Sequence, residues 1–171
     1  MTRRRWVPAL HRLLQLVPLL ALLAACATVN TPSRVLDTHD VVAIQQLLAR
    51  YTLLADVDKS HAGEGMREIF TNDAMFQVPA IDLYVKGIDN IVVFFRERPG
   101  GDHHINTNLV VEGAGDRAKA RSYVHIIKAE KGVQSLVFGY YEDELVKTAE
   151  GWRIQHRNTV LLDFPFENSA P

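Results

Sequence analysis

The chain has 171 residues, with 19 lysines and arginines against 20 aspartates and glutamates and a formal net charge of −1. No basic stripe runs along it, which excludes the electrostatic footprint of a nucleic-acid-binding protein, so no nucleic-acid partner is expected. The single cysteine, Cys26, excludes an internal disulfide and leaves the globular part without a thiol nucleophile.

The N-terminus opens with a basic segment, "MTRRRWVPALHR", followed by the apolar run "LLQLVPLLALLAA". That run has the length of a signal-peptide core and is too short to span a bilayer comfortably. It ends in Leu23-Ala24-Ala25-Cys26, which resembles a bacterial lipoprotein lipobox. The resemblance implies a signal peptide over 1–25 and lipidation of Cys26 as the first mature residue. A small, polar tether over 26–37 then leads to a domain over 38–164 and a tail over 165–171. The membrane partner is reached through the N-terminal lipid, and the expected location is the bacterial cell envelope, facing the periplasm. Ala27 is not the aspartate that retains some lipoproteins at the inner membrane, which favours the outer one. "TRRRWV" also resembles a twin-arginine export signal. An ordinary cleaved signal peptide with an incidental cysteine is the alternative reading.

Asp37 and Thr38 are good caps for a helix starting near Asp40. Ile44, Leu47, Leu48, Tyr51, Leu54 and Ala55 recur at helical spacing, which carries that helix to about Asp58. A shorter helix is predicted from roughly Gly65 to Phe70. "AMFQVP" and "LYVKG" read as a strand pair, and "IDNIVVFFRER" as a third, amphipathic helix broken by Pro99-Gly100-Gly101. Four strand candidates follow, "HHINTNLVVEG", "RAKARSYVHIIKAEKG", "VQSLVFGYYEDELVKTAEG" and "WRIQHRNTVLLDF", with hairpin turns at "GAGDR" and "KTAEGW". Helices first and an antiparallel meander second make an α+β pattern, with the helices packed on one face of a curved sheet.

"HHINTN" raises a question of faces. In a strand, His104, Asn106 and Asn108 point one way and His103, Ile105, Thr107, Leu109 and Val111 the other. The odd-numbered set reads as core. The even-numbered set is polar and faces either water or a wet pocket, and a slip of one residue would exchange His104 for His103.

The segments "ARYTLLAD", "IFTNDAMF", "KGIDNI", "HHINTNLVVEGAGDRAKARSYV" and "GYYEDELVKTAEGWRIQHRN", in this order and spacing, resemble the SnoaL-like family of the nuclear transport factor 2-like superfamily. The resemblance implies a cone-shaped barrel, a bent antiparallel sheet wrapped around a deep pocket, closed by three helices from the N-terminal side. Members include cofactor-free dehydratases, isomerases and polyketide cyclases, among them scytalone dehydratase and bile-acid dehydratases. Others only bind ligands, so fold does not settle function. The resemblance also implies a homodimer through the outer face of the sheet.

On this reading Tyr51 polarises a substrate carbonyl, His104 acts as general acid/base, and Asp56 orients the histidine. A helical wheel favours Asp58 instead, since Asp56 lies roughly 140° and Asp58 only about 20° from Tyr51. Asp58, His103 and His125 therefore stay open as alternatives. Asn106, Asn108 and Tyr141 are expected to line the pocket, Asp143 to line or brace it, and Trp152 and Arg157 to be structural. His103, His104, His125 and His156 form no tight ligand motif, so no metal site is expected, and no phosphate-binding loop or other cofactor motif is present. The implied activity is that of a cofactor-independent lyase or isomerase, dehydratase-like, on a small, largely apolar carbonyl compound. The alternative is a non-catalytic, ligand-binding periplasmic lipoprotein.

Overall fold

The computed structural model describes residues 35–56, 61–98, 102–130 and 133–162. The leader, Cys26, Asp58 and the C-terminal tail lie outside the described residues. Helix α1 spans Thr38–Asp56. Its start is fixed by Asp37, whose Oδ1 accepts the Asp40 N–H at 2.9 Å, an N-cap bond that satisfies a helix-end donor. Ile44, Leu47, Leu48 and Tyr51 form its buried stripe.

Helix α2 (Ala62–Gly65) continues as a 3₁₀ turn over Met66–Glu68, earlier than the predicted span, and Phe70 already belongs to a strand. Gly65 closes the α-helical turn, and Gly63 marks a close approach. A Cβ on Gly63 would lie 2.8 Å from the Val92 carbonyl oxygen of helix α3 (Ile88–Glu97). Among the described residues, no helix is long and apolar enough to cross a membrane.

Six strands follow the chain as β1 (Phe70–Val78), β2 (Leu83–Lys86), β3 (Asp102–Ala114), β4 (Arg117–Glu130), β5 (Val133–Thr148) and β6 (Gly151–Leu162). Their order in the sheet is β2-β1-β6-β5-β4-β3. The meander β3 to β6 and the β1–β2 pair are antiparallel as expected. The sheet as a whole is mixed and open, however, because β6 returns alongside β1 in parallel and β2 and β3 remain edges. A curved, six-stranded sheet with helices across its concave face is the cone-like α+β architecture. Curling crowds β5 against β6 at Gly139, where a Cβ would sit 2.4 Å from the Val160 carbonyl oxygen.

The core lies between that concave face and the helices. Tyr51 of α1, Ile91 and Phe95 of α3, Phe70 of β1, Val124 of β4 and Ile154 of β6 are all buried in it. Each such side chain contributes about 1.5–3 kcal/mol when fully removed from water. Asp40, 2 % exposed, ties α1 to the β5–β6 hairpin by accepting from Lys147 Nζ at 2.6 Å and Trp152 Nε1 at 3.1 Å.

Candidate active site

The last residue of α1, Asp56, meets the third residue of β3, His104, and both side chains are buried, with 7 % and 3 % exposure. One carboxylate oxygen, Oδ2, accepts the main-chain N–H of His104 at 2.6 Å, and the other, Oδ1, is hydrogen-bonded to the ring Nδ1. A carboxylate at a helix C-terminus faces the negative end of the dipole. The two donors from His104 offset that. One turn back, Thr52 Oγ1 accepts from Asn106 Nδ2 at 3.0 Å. Four helical residues rise about 6 Å and two strand residues about 6.6 Å, so the two contacts stitch α1 and β3 together in register.

Nδ1 being engaged, Nε2 is the nitrogen left for chemistry, and it has no hydrogen-bond partner among the described residues. His104 lines an inner cavity of about 210 Å³. Tyr51, Tyr141 and Thr159 share that lining, and Phe76, Phe94, Ile126, Val137 and Leu161 supply apolar walls. Asp56 stands behind His104, outside the lining.

Beneath the tyrosines lies a buried ion pair. Arg157 Nε and Nη2 donate to the two oxygens of Asp143 at 2.6 and 2.7 Å, with side-chain exposures of 0 % and 1 %. The guanidinium lies 3.9 Å from the Tyr51 ring centroid and 4.2 Å from that of Tyr141. Burial alone would lower the Arg157 pKa. The charge and hydrogen bonds of Asp143 outweigh it and hold the guanidinium charged. Burial likewise raises the Tyr141 phenol well above its ordinary value; the proximity of Tyr51 and the hydrogen bond with it act in the same direction, and the Arg157 charge opposes them. Tyr141 therefore stays protonated, and its ring packs edge-on against that of Tyr51 at 6.0 Å, with both residues lining the cavity.

A model of the SnoaL-like domain matches residues 37–158, most of the chain and every element described above. The chain belongs to the SnoaL-like domain family. Among solved structures, a protein of unknown function from Mycobacterium tuberculosis is 27% identical over 74% of each chain, with a TM-score of 0.66. An NTF2-like protein with a cystatin-like fold from Novosphingobium aromaticivorans is 25% identical, over 73% of this chain and 83% of that one, with a TM-score of 0.63. A candidate scytalone dehydratase from the same organism superposes with a TM-score of 0.62 over 73% of this chain and 85% of that one; at 20% identity, that likeness carries the fold alone. Comparison with curated protein sequences gives no match.

In this SnoaL-like domain, Tyr51, Tyr141 and His104 line one cavity, and Asp56 is the carboxylate paired with His104. The helical wheel misjudged Asp56 because the residue ends its helix, where the side chain turns toward β3. Asn106 braces β3 against Thr52 and is not among the residues that line the cavity; its Oδ1 is buried without a partner.

Asn108 leaves the shared face altogether. It adopts a left-handed φ of 54° at a bulge between Thr107 and Val110, is exposed, and lines a groove on the outer face of the sheet. The bulge also reverses the faces. Ile105 is 47% exposed, against the expectation of a core position, while Leu109 and Val111 beyond the bulge do pack on the core. His103 is exposed on the outer side, so the register holds His104 inward. His125 is also on the outer face, where its ring lies 5.0 Å from that of Phe138.

The site contains residues that the sequence did not single out for it. Arg157 sits against both cavity tyrosines, Thr159 lines the wall beside Tyr141, and Arg98, Asp102 and Lys128 stand at the cavity. Asp143 and Arg157 are register partners on β5 and β6, a pairing countable from the hairpin turn only once the bulge between Glu144 and Leu145 is known. Asp37, His39 and Asp40 also bring ligand-type atoms within 4.8 Å of one another at the start of α1, but Asp40 is committed to Lys147 and Trp152.

Proposed function

We propose that this SnoaL-like domain is a cofactor-independent lyase or isomerase, dehydratase-like, acting on a small carbonyl compound with a largely apolar body. The observation that carries the reading is the buried His104–Asp56 pair, with Nε2 left over, in an apolar cavity that two tyrosines share. Nε2 of His104 takes a proton from the carbon next to the carbonyl, and the C–H electron pair moves onto the carbonyl oxygen as an enolate. The Tyr51 hydroxyl donates to that oxygen as charge develops. Asp56 holds the Nδ1–H tautomer and stabilises the imidazolium without itself taking the proton. The enolate then collapses. It either expels a β-hydroxyl, protonated by the imidazolium to leave as water, or accepts the proton at another carbon, which moves the double bond. Both outcomes return His104 to its starting state. The SnoaL-like family match supports this chemistry.

The test is exchange of the α-hydrogens of a panel of cyclic β-hydroxyketones in D₂O, followed by NMR. The wild-type protein is expected to catalyse the exchange, and His104→Asn to slow it by about 10²–10⁴-fold. Undiminished exchange in His104→Asn would sink the assignment. A ketone held tightly and returned unexchanged by the wild-type protein would move the reading to a ligand carrier.

The lipid anchor is proposed on the sequence of 1–26 alone. Expressed in a bacterial host, the full chain is expected in the membrane fraction with an acylated Cys26, and Cys26→Ser in the soluble fraction. An unmodified Cys26 in mature protein counts against it.

A further inference from the structure

The inner cavity has a charged end. Arg98, just past α3, is paired with Asp102 at the start of β3, and Lys128 stands across from Asp102 in the β3–β4 register. All three line the cavity, the Arg98 and Asp102 side chains being 22% and 17% exposed. They are two cations and one anion, and Lys128 makes no ion pair among the described residues. Lys128 is exposed at the open end of a lining it shares with Phe94, Val137 and Leu83, so the partly buried Arg98–Asp102 pair is screened less than the lysine, and the lysine leaves a net positive charge at that end.

The strand fixes its distance from the chemistry. Asp102 and His104 are successive inward positions on β3, and Lys128 and Ile126 are their partners on β4. Two strand residues span about 6.6 Å. A ligand whose reacting carbon lies at His104 therefore meets the cations several bonds further along.

We propose that Arg98 and Lys128 form a carboxylate-binding subsite, and that the substrate is a carbonyl compound carrying a carboxylate several bonds from its reacting carbon. The apolar walls take the body between the two ends. An α-keto acid, with carboxylate and carbonyl adjacent, does not span them. The position of the reacting carbon rests on the His104–Asp56 reading; the anion subsite does not.

Isothermal titration calorimetry of the full chain with 4-acetylbenzoate and 4-acetylbenzamide tests it. The acid is expected to bind about tenfold or more tighter than the amide at low salt, with the preference shrinking as salt is added. Lys128→Gln, which breaks no ion pair, and Arg98→Gln should each reduce the preference, and Asp102→Asn should increase it. Phenylglyoxylate should gain no such preference over phenylglyoxylamide. Equal binding of acid and amide, an unchanged ratio in the Arg98→Gln/Lys128→Gln double variant, or no binding of any probe at millimolar concentration overturns the proposal. His104→Asn separates the two readings: it should slow hydrogen exchange by about the same 10²–10⁴-fold and leave the acid-to-amide ratio intact. A preserved ratio in a wild-type protein that never exchanges hydrogen would retire the dyad reading alone.

Discussion

Arg157 is the side chain on which the floor of the cavity depends. Its two bonds to Asp143 are made at full burial, where removing one partner leaves the other charge with neither water nor counter-ion. Arg157→Met is therefore expected to lower stability by about 3–5 kcal/mol. In thermal unfolding that is a loss of roughly 2–4 °C per kcal/mol for a domain near this size. Arg157→Lys should not rescue it, since an ammonium cannot reproduce the bidentate fork or stack between Tyr51 and Tyr141. The double variant Asp143→Leu/Arg157→Met should recover much of the loss; a double variant as unstable as the sum of the singles would show that the pair is not the source.

Tyr141 gives a pH prediction from the same corner. Burial raises its pKa well above 10.0, so the folded chain holds the phenol proton more tightly than the unfolded chain does. Its contribution to stability is complete below the unfolded value near 10 and is lost as pH rises through the folded one. Chemical denaturation is expected to show stability declining above pH 10 in the wild-type protein, with a shallower decline in Tyr141→Phe. Ultraviolet titration should show the same phenolate amplitude at pH 10 in both. A smaller amplitude in the variant would mean that Tyr141 titrates like an exposed phenol.

At the scale of elements, two bulges decide which side chains reach the site. On β3 the inward residues run His104, Asn106, then Leu109, Val111. On β6 they run Trp152, Ile154, then Arg157, Thr159. Each bulge adds one residue and exchanges the faces of everything beyond it. Strand patterning located all six strands and turn composition the β3–β4 and β5–β6 turns, and the face containing His104 was legible because that residue precedes its bulge. Asn108 was not, because strict alternation carried it inward, and Arg157 was not, because its inward orientation depends on a bulge with no composition signal. The helix faces carried the same limit at Asp56, where the wheel applies to an intact helix and not to its last residue. Asn108 itself makes the β3 bulge testable. Its φ of 54° suits glycine and asparagine and strains a β-branched residue. Asn108→Gly should leave stability within about 0.5 kcal/mol, and Asn108→Val should lower it by about 1–2 kcal/mol in urea denaturation. Equal stability of the two would mean that the bulge relocates at no cost.

For the whole molecule, the two sides of the meander are set up for different tasks. The concave side carries the cavity. The outer side carries Ile105, Val110, Tyr123 and Leu136, each 46–57% exposed, together with the groove of about 990 Å³ that Val110, Tyr123 and Tyr140 help line. Ion pairs Arg121–Glu142 and Lys119–Glu144 fringe this apolar band at 3.6 and 3.4 Å. Apolar side chains gathered on one face with a charged fringe suit burial against a partner surface of the same kind, and a two-fold dimer supplies one. Sedimentation at tens of micromolar is expected to give twice the monomer mass for the wild-type protein, and Tyr123→Glu, which puts a like charge on both halves of such an interface, the monomer mass. A wild-type monomer under those conditions rejects the dimer. Successive residues on a strand point to opposite faces, so Tyr123 has no part in the cavity lined by Ile126 and Lys128 of the same strand. Tyr123→Glu should therefore dissociate the dimer and leave the binding of 4-acetylbenzoate unchanged; a concurrent loss of binding would mean that the dimer shapes the cavity.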